Sequence, residues 1–82
     1  MNFLEASKDY QGGDNFPQLL SEGLLLAGPD FAHEIAKELE IIPASIKRWA
    51  MGIGLPLPGF RVIVIQKLRK RVEELSKVEP EP

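Results

Sequence analysis

The residues best suited to chemistry in this sequence are cationic, and they are concentrated in one part of the chain. Residues 41–72 hold seven basic side chains and no acidic one, whereas residues 1–40 hold two basic and eight acidic side chains. The seven are Lys47, Arg48, Arg61, Lys67, Arg69, Lys70 and Arg71. Charge segregated in this way can steer a polyanion to one face of a protein, although a basic stretch is often only the solvated side of a helix.

Side chains that could carry catalysis or bind a metal are scarce. The chain has no cysteine and a single histidine, His33, which excludes disulfides, thiolate sites and histidine clusters. His33 has no evident nucleophile or base as a partner. The glycine-rich run at residues 52–59 lacks the Lys–Ser/Thr ending of a phosphate-binding loop. We therefore expect a protein that is not an enzyme and has no metal site and no cofactor.

Length and composition restrict the class of protein further. The 82 residues allow one domain, and the hydrophobic fraction of 44% with 27% charged residues is ordinary for a soluble protein. No apolar run approaches the roughly 20 residues that a membrane helix needs. The first ten residues have neither the basic start nor the apolar stretch of a signal peptide. These features predict a cytoplasmic protein with no membrane partner.

The cationic residues must be positioned by regular structure. Apolar residues recur at helical spacing in four segments, so the sequence predicts four helices. The predicted helices cover residues 16–27, 29–39 and 43–51, and a last helix that begins near Pro58 or Phe60 and ends near Leu75. Asn15 is a good N-cap for the first of them, and Gly52 is a typical stop after the third. Four β-branched residues at 62–65 favour a strand by propensity. We predict a helix there, because the apolar stripe continues in helical phase to Leu75.

The predicted fold is therefore all-α, a small bundle of four or five helices. Residues 1–14 contain one or two potential helical turns before Gly12 and Gly13 interrupt them, and we expect this segment to be loosely ordered. Residues 15–76 form the domain. Residues 77–82, which hold two prolines and two glutamates, are predicted to be a disordered tail.

A motif lies in residues 35–58, IAKELEIIPASIKRWAMGIGLPLP. Two short predicted helices are separated there by three or four residues, which is the turn length of a helix-turn-helix. Ten positions agree, without a gap, with the common pattern of the Cro-repressor-like (XRE) helix-turn-helix family, which this stretch resembles. They are Ile35, Ala36, Leu39, Ile41, Ser45, Ile46, Arg48, Trp49, Gly52 and Pro56.

The stretch also departs from the family pattern. Glu40 occupies a turn position where the family prefers glycine, and glutamate disfavours the positive φ of such a turn. Ile42 replaces the usual serine or threonine cap. The helix at 29–39 lacks the glutamine near its start that often contacts phosphate in the family.

The resemblance implies a lambda-repressor-like fold and a transcriptional regulator that binds double-stranded DNA. The helix at 43–51 would lie in the major groove with its early and outward residues toward the bases. The implied DNA-binding residues are Pro43, Ala44, Ser45, Lys47 and Arg48, with Arg61 on a backbone phosphate. Trp49 shares the face of Ile46 and is expected to pack inward.

Two further possibilities follow from the same residues. A helix-turn-helix scaffold can instead serve as a protein-interaction module, an adaptor or an antitoxin-like partner, because a fold does not fix a function. The last helix also holds more apolar residues than one core stripe can bury. We therefore predict that Ile63 or Val62 contacts a second copy of the chain in a homodimer.

Overall fold

Five helices make up the part of the chain that the computed structural model describes, residues 3–28 and 30–77. They are α1 (Phe3–Lys8), α2 (Phe16–Ala27), α3 (Phe31–Leu39), α4 (Pro43–Ala50) and α5 (Pro58–Lys77). No strand occurs in the described residues, and the predicted all-α bundle is confirmed. None of these helices is both long enough and apolar enough to cross a membrane.

The contact between α2 and α5 forms the centre of the core. Leu19 and Leu20 on α2 and Ile65 and Leu68 on α5 belong to one core cluster, and all four are nearly or completely buried. Gly23 lies where the helices come closest: a Cβ atom there would stand 2.9 Å from the Leu68 Cδ1 atom and equally close to the Phe3 ring. The missing side chain lets α1, α2 and α5 approach one another.

The β-branched run in the first half of α5 is helical, as predicted. Val64 and Ile65 are fully buried, and Val62 packs against the core from a half-buried position. Packing against α2 outweighs the modest preference of these side chains for a strand. The helical spacing of the apolar residues therefore predicted the structure better than the β-propensity of the single residues did.

The N-terminal segment, which the sequence predicts to be loosely ordered over residues 1–14, contains the helix α1. Within it, α1 packs against α2 and α5, and Phe3 is 1% exposed. Tyr10 stacks on Phe16 with the ring centroids 6.5 Å apart, and its hydroxyl donates to the Gly13 carbonyl oxygen at 2.9 Å. Two well-placed aromatic side chains thus fix a segment that is too short to show a clear apolar period.

The end of α5 coincides with the start of the predicted tail. α5 continues to Lys77, so the first residue of the segment 77–82 belongs to the helix. Residues 78–82 lie outside the described residues, as do residues 1 and 2 of the N-terminal segment.

Candidate nucleic-acid interface

α4 has one face in the core and one face in solvent. Ile46 is fully buried and Trp49 is 9% exposed. The opposite face carries side chains at the spacing i, i+3, i+4 and i+7, which places them in one stripe along the helix. These exposed residues are Ala44, Lys47 and Arg48 on α4, with Met51 at the C-cap that follows it.

The buried face of α4 fixes the direction of the exposed one. The Trp49 ring lies 6.3 Å from the Phe16 ring and meets the Phe60 ring edge-on at 5.8 Å between centroids. The Ser21 hydroxyl on α2 donates to the Ala50 carbonyl oxygen at 3.2 Å, at the C-terminal end of α4. The predicted inward packing of Trp49 is confirmed, and α4 is held at both its face and its end.

A three-residue turn, 40–42, joins α3 to α4 and directs the chain between them. The Ile41 N–H donates to the Ala36 carbonyl oxygen at 2.9 Å, and the Glu40 N–H donates to that of Lys37 at 3.3 Å. These two bonds form a Schellman motif, which requires a left-handed residue after the helix. Glu40 is that residue, with a φ of 57°, and no other non-glycine among the described residues has a positive φ.

The two ends of α4 are built differently. Ile42 precedes the helix in an extended conformation and makes no side-chain cap bond. At the other end Gly52 has a φ of 83°, and the Ile53 N–H donates to the Arg48 carbonyl oxygen at 2.9 Å. Gly52 therefore ends the helix as the sequence predicts, through a second Schellman motif.

The cations of α4 have no acidic partner in the described part of the chain. Among the described residues, the side chains of Lys47 and Arg48 make no ion pair and no hydrogen bond. Glu38, which is close to them in sequence, pairs instead with Lys67 on α5 at 2.8 Å. Both positive charges remain directed to solvent.

Arg61 occupies a different environment from the other predicted DNA contacts. Its Nε atom donates to the Pro56 carbonyl oxygen at 2.7 Å, and its guanidinium also donates to that of Gly12 at 3.0 Å. The side chain is 16% exposed, and Asp14 approaches it at 4.0 Å. Because these internal partners occupy the guanidinium, we leave Arg61 out of the candidate interface.

The remaining predicted contacts lie on the sides of α4. Pro43 and Ser45 are half-buried, between the exposed stripe and the core face. The structure thus brings together three of the six residues in one exposed stripe, with two at its margins and one elsewhere.

Exposed apolar side chains flank α4 at both ends in the sequence and were missed in the sequence analysis. Met51 is 71% exposed, Ile42 is 61% exposed and Ile53 is 51% exposed. Met51 follows Ala44 by seven residues, and this spacing was the signal that could have placed it in the stripe. Ile63 on α5 is another exposed apolar side chain, while Val62 packs inward. The homodimer contact through Ile63 stays a prediction.

Searches of protein-family models, of curated proteins and of solved structures gave no match to this chain. What the chain does must therefore be inferred from the arrangement of its own residues. The most informative part of that arrangement is the exposed stripe of α4 with its two unpartnered cations.

Proposed function

We propose that this protein binds double-stranded DNA by inserting the exposed stripe of α4 into the major groove. The single observation that carries the proposal is that Lys47 and Arg48 lie side by side on that stripe with no partner among the described residues. An α-helix fits the major groove, which is about 12 Å wide. The motif found in the sequence, with its three-residue turn between α3 and α4, supports the same function.

The regulatory effect would be steric. A small protein that occupies a site on DNA excludes other proteins from it and needs no chemistry of its own. Because the net charge is −2, attraction to DNA would depend on the local field of α4 and not on the charge of the whole chain. Binding of this kind releases counterions and weakens steeply with salt. A small transcriptional regulator is the role that fits these properties.

The first test removes the two cations together. We expect Lys47→Ala with Arg48→Ala to weaken binding to mixed-sequence duplex DNA at low salt by roughly tenfold or more. The salt dependence should also become shallower, by about one unit for each side chain that contacts a phosphate. Fluorescence anisotropy titrations at two salt concentrations measure both effects.

The matched control is Lys8→Glu, which lowers the net charge by the same two units on the exposed side of α1. It should bind DNA as the original chain does, because Lys8 lies on α1, which packs mainly against α2 and α5 and is not part of the exposed stripe of α4. The proposal is contradicted if the original chain does not bind DNA at low salt, or if Lys8→Glu weakens binding as much as the double variant does.

Protein binding is the second candidate, and the exposed apolar side chains near α4 favour it. Surface apolar residues that lie close together often mark interaction sites. In that case Met51→Ser with Ile53→Ser would abolish binding of a purified partner, whereas Lys47→Ala with Arg48→Ala would leave it intact. If the protein binds DNA, the loss of Lys47 and Arg48 should weaken DNA binding more than the loss of Met51 and Ile53 does.

A further inference from the structure

The exposed stripe of α4 offers a narrow set of chemical groups to a DNA base. It carries two methyl-bearing side chains, Ala44 and Met51, and two cations, Lys47 and Arg48. No residue of the segment 43–51 has an amide or carboxylate side chain. The one hydroxyl, on Ser45, lies at the half-buried margin.

These groups do not suit all four bases equally. Adenine is read in the major groove by the amides of Asn or Gln, and cytosine by carboxylates. Guanine accepts hydrogen bonds from Arg or Lys at O6 and N7, and thymine offers its methyl group to apolar side chains. A hydroxyl can contact any of the bases and does not discriminate by itself.

The length of the stripe limits how many bases one copy can contact. From Ala44 to Met51 the helix rises about 10 Å, which corresponds to about three base-pair steps of 3.4 Å. Lys47 and Arg48 lie between the two apolar positions. The small Ala44 side chain leaves room for the helix to approach the floor of the groove closely.

From this arrangement we infer that α4 recognises thymine by its methyl group and guanine by its O6 and N7 atoms, and does not read adenine or cytosine directly. Ala44 and Met51 contact the thymine methyls, and Lys47 and Arg48 contact guanine between them. The inference rests on the proposed function, since it concerns how the same surface selects its DNA.

The experiment begins by selecting duplexes from a random pool with the full chain. In the selected site each thymine is replaced singly by uracil, each adenine by 7-deazaadenine and each guanine by 7-deazaguanine. We expect uracil to weaken binding about fourfold at one or two positions, the effect of one buried carbon group. 7-Deazaguanine should weaken binding roughly tenfold at one or two positions, and 7-deazaadenine should have no effect.

Variants assign the contacts to side chains. Ala44→Gly should abolish the preference for thymine over uracil at one position, and Met51→Ala should reduce it at another. The ratio of the two affinities is measured on one protein sample, so a loss of folded protein does not change it.

The outcomes separate the inference from the proposed function. Sensitivity to 7-deazaadenine together with tolerance of uracil would overturn the inference. So would salt-dependent binding that selects no sequence, although DNA binding itself would then stand. Failure to bind any duplex at low salt would overturn both.

Discussion

Glu40 holds a backbone conformation that its side chain disfavours. Its φ of 57° and ψ of 43° lie in the left-handed region, where a residue with a Cβ atom is less stable than glycine by roughly 1–2 kcal/mol. The Schellman bonds of Ile41 and Glu40 at the end of α3 require this conformation. The strain that the sequence predicted at this position is therefore present in the turn.

Replacing Glu40 by glycine should stabilise the protein. Glycine relieves the strain but has more freedom in the unfolded chain, which leaves a net gain of about 0.5–1 kcal/mol. For a domain of this size the melting temperature should rise by about 2–8 °C. The control is Glu34→Gly in the exposed middle of α3, which should lose about 1 kcal/mol. If Glu40→Gly is less stable than the original chain, the backbone of Glu40 is not strained.

Tyr10 is a buried phenol whose ionisation is linked to folding. Burial raises the pKa of Tyr10 above its ordinary value of 10.0, and the positive charge of Arg61 beside it offsets part of that effect. The folded chain therefore keeps the phenolic proton at a pH where the unfolded chain has lost it. The contribution of Tyr10 is complete below about pH 10 and is lost as the pH rises through the folded-state pKa.

The free energy of unfolding should consequently fall as the pH rises above about 10 and through the folded-state pKa of Tyr10. Tyr10 is the only tyrosine in the sequence, so its tyrosinate absorbance reports its pKa in the folded chain directly. Urea titrations should show a smaller fall for Tyr10→Phe than for the original chain. A tyrosinate midpoint below 10.0 in the folded protein would rule out the burial effect.

Arg61 connects separate elements of the fold. It joins the N-terminal segment, through Gly12, and the connection between α4 and α5, through Pro56, to the first turns of α5. A guanidinium can do this because its fixed fork donates in two directions. Lys47 and Arg48 have exposed side chains and no partner within residues 3–28 and 30–77, so they make no comparable contribution to folding.

Arg61→Met should therefore destabilise the fold by about 2–3 kcal/mol, because two carbonyl oxygens lose their donor. Arg48→Met is the matched variant, and it should weaken DNA binding while it leaves the urea midpoint unchanged. Denaturant unfolding and DNA titration of both proteins give the comparison. If Arg61→Met unfolds like the original chain but fails to bind DNA, Arg61 contacts phosphate as the sequence first indicated.

The helices were largely predictable, because each of α2 to α5 has a regular apolar stripe. The predicted range 16–27 matches α2, and the ranges for α3 and α4 differ from the observed ones by two residues or fewer. α1 was placed in a loosely ordered segment, because six residues are fewer than two turns and show no period. The packing of α1 depends on the Phe3 side chain, which occupies the space beside Gly23, twenty positions later in the chain.

At the level of the whole molecule, Gly23 sets how closely three helices pack. A Cβ atom there would lie 2.9 Å from atoms of Leu68 and Phe3, closer than packed carbon atoms tolerate. Gly23→Ala should cost about 1–3 kcal/mol despite the better helix propensity of alanine. Gly59→Ala in α5 is the control, since its Cβ position has no atom of another described element within 4 Å, and it should be neutral or slightly stabilising. Thermal unfolding of both variants is the measurement, and equal melting temperatures would contradict the close packing.

The folded structure distinguishes the basic side chains that have partners from those that remain exposed. Of the seven basic residues between 41 and 72, Lys67 and Arg69 pair with acidic side chains and Arg71 lies over the Phe31 ring at 5.5 Å. Arg61 is held by the two carbonyl oxygens and is largely buried. The charge that remains free for a polyanion is therefore concentrated on α4, with Lys70 exposed on α5.

The sequence by itself determined the all-α class, the positions of α2 to α5 and the stop at Gly52. These follow from local periodicity and from the backbone preferences of single residues, which act within one or two turns. Only the tertiary structure decided which cations are free. A long charged side chain takes its partner from whatever the fold brings near, and for Arg61 that partner is a carbonyl oxygen 49 positions away in the chain.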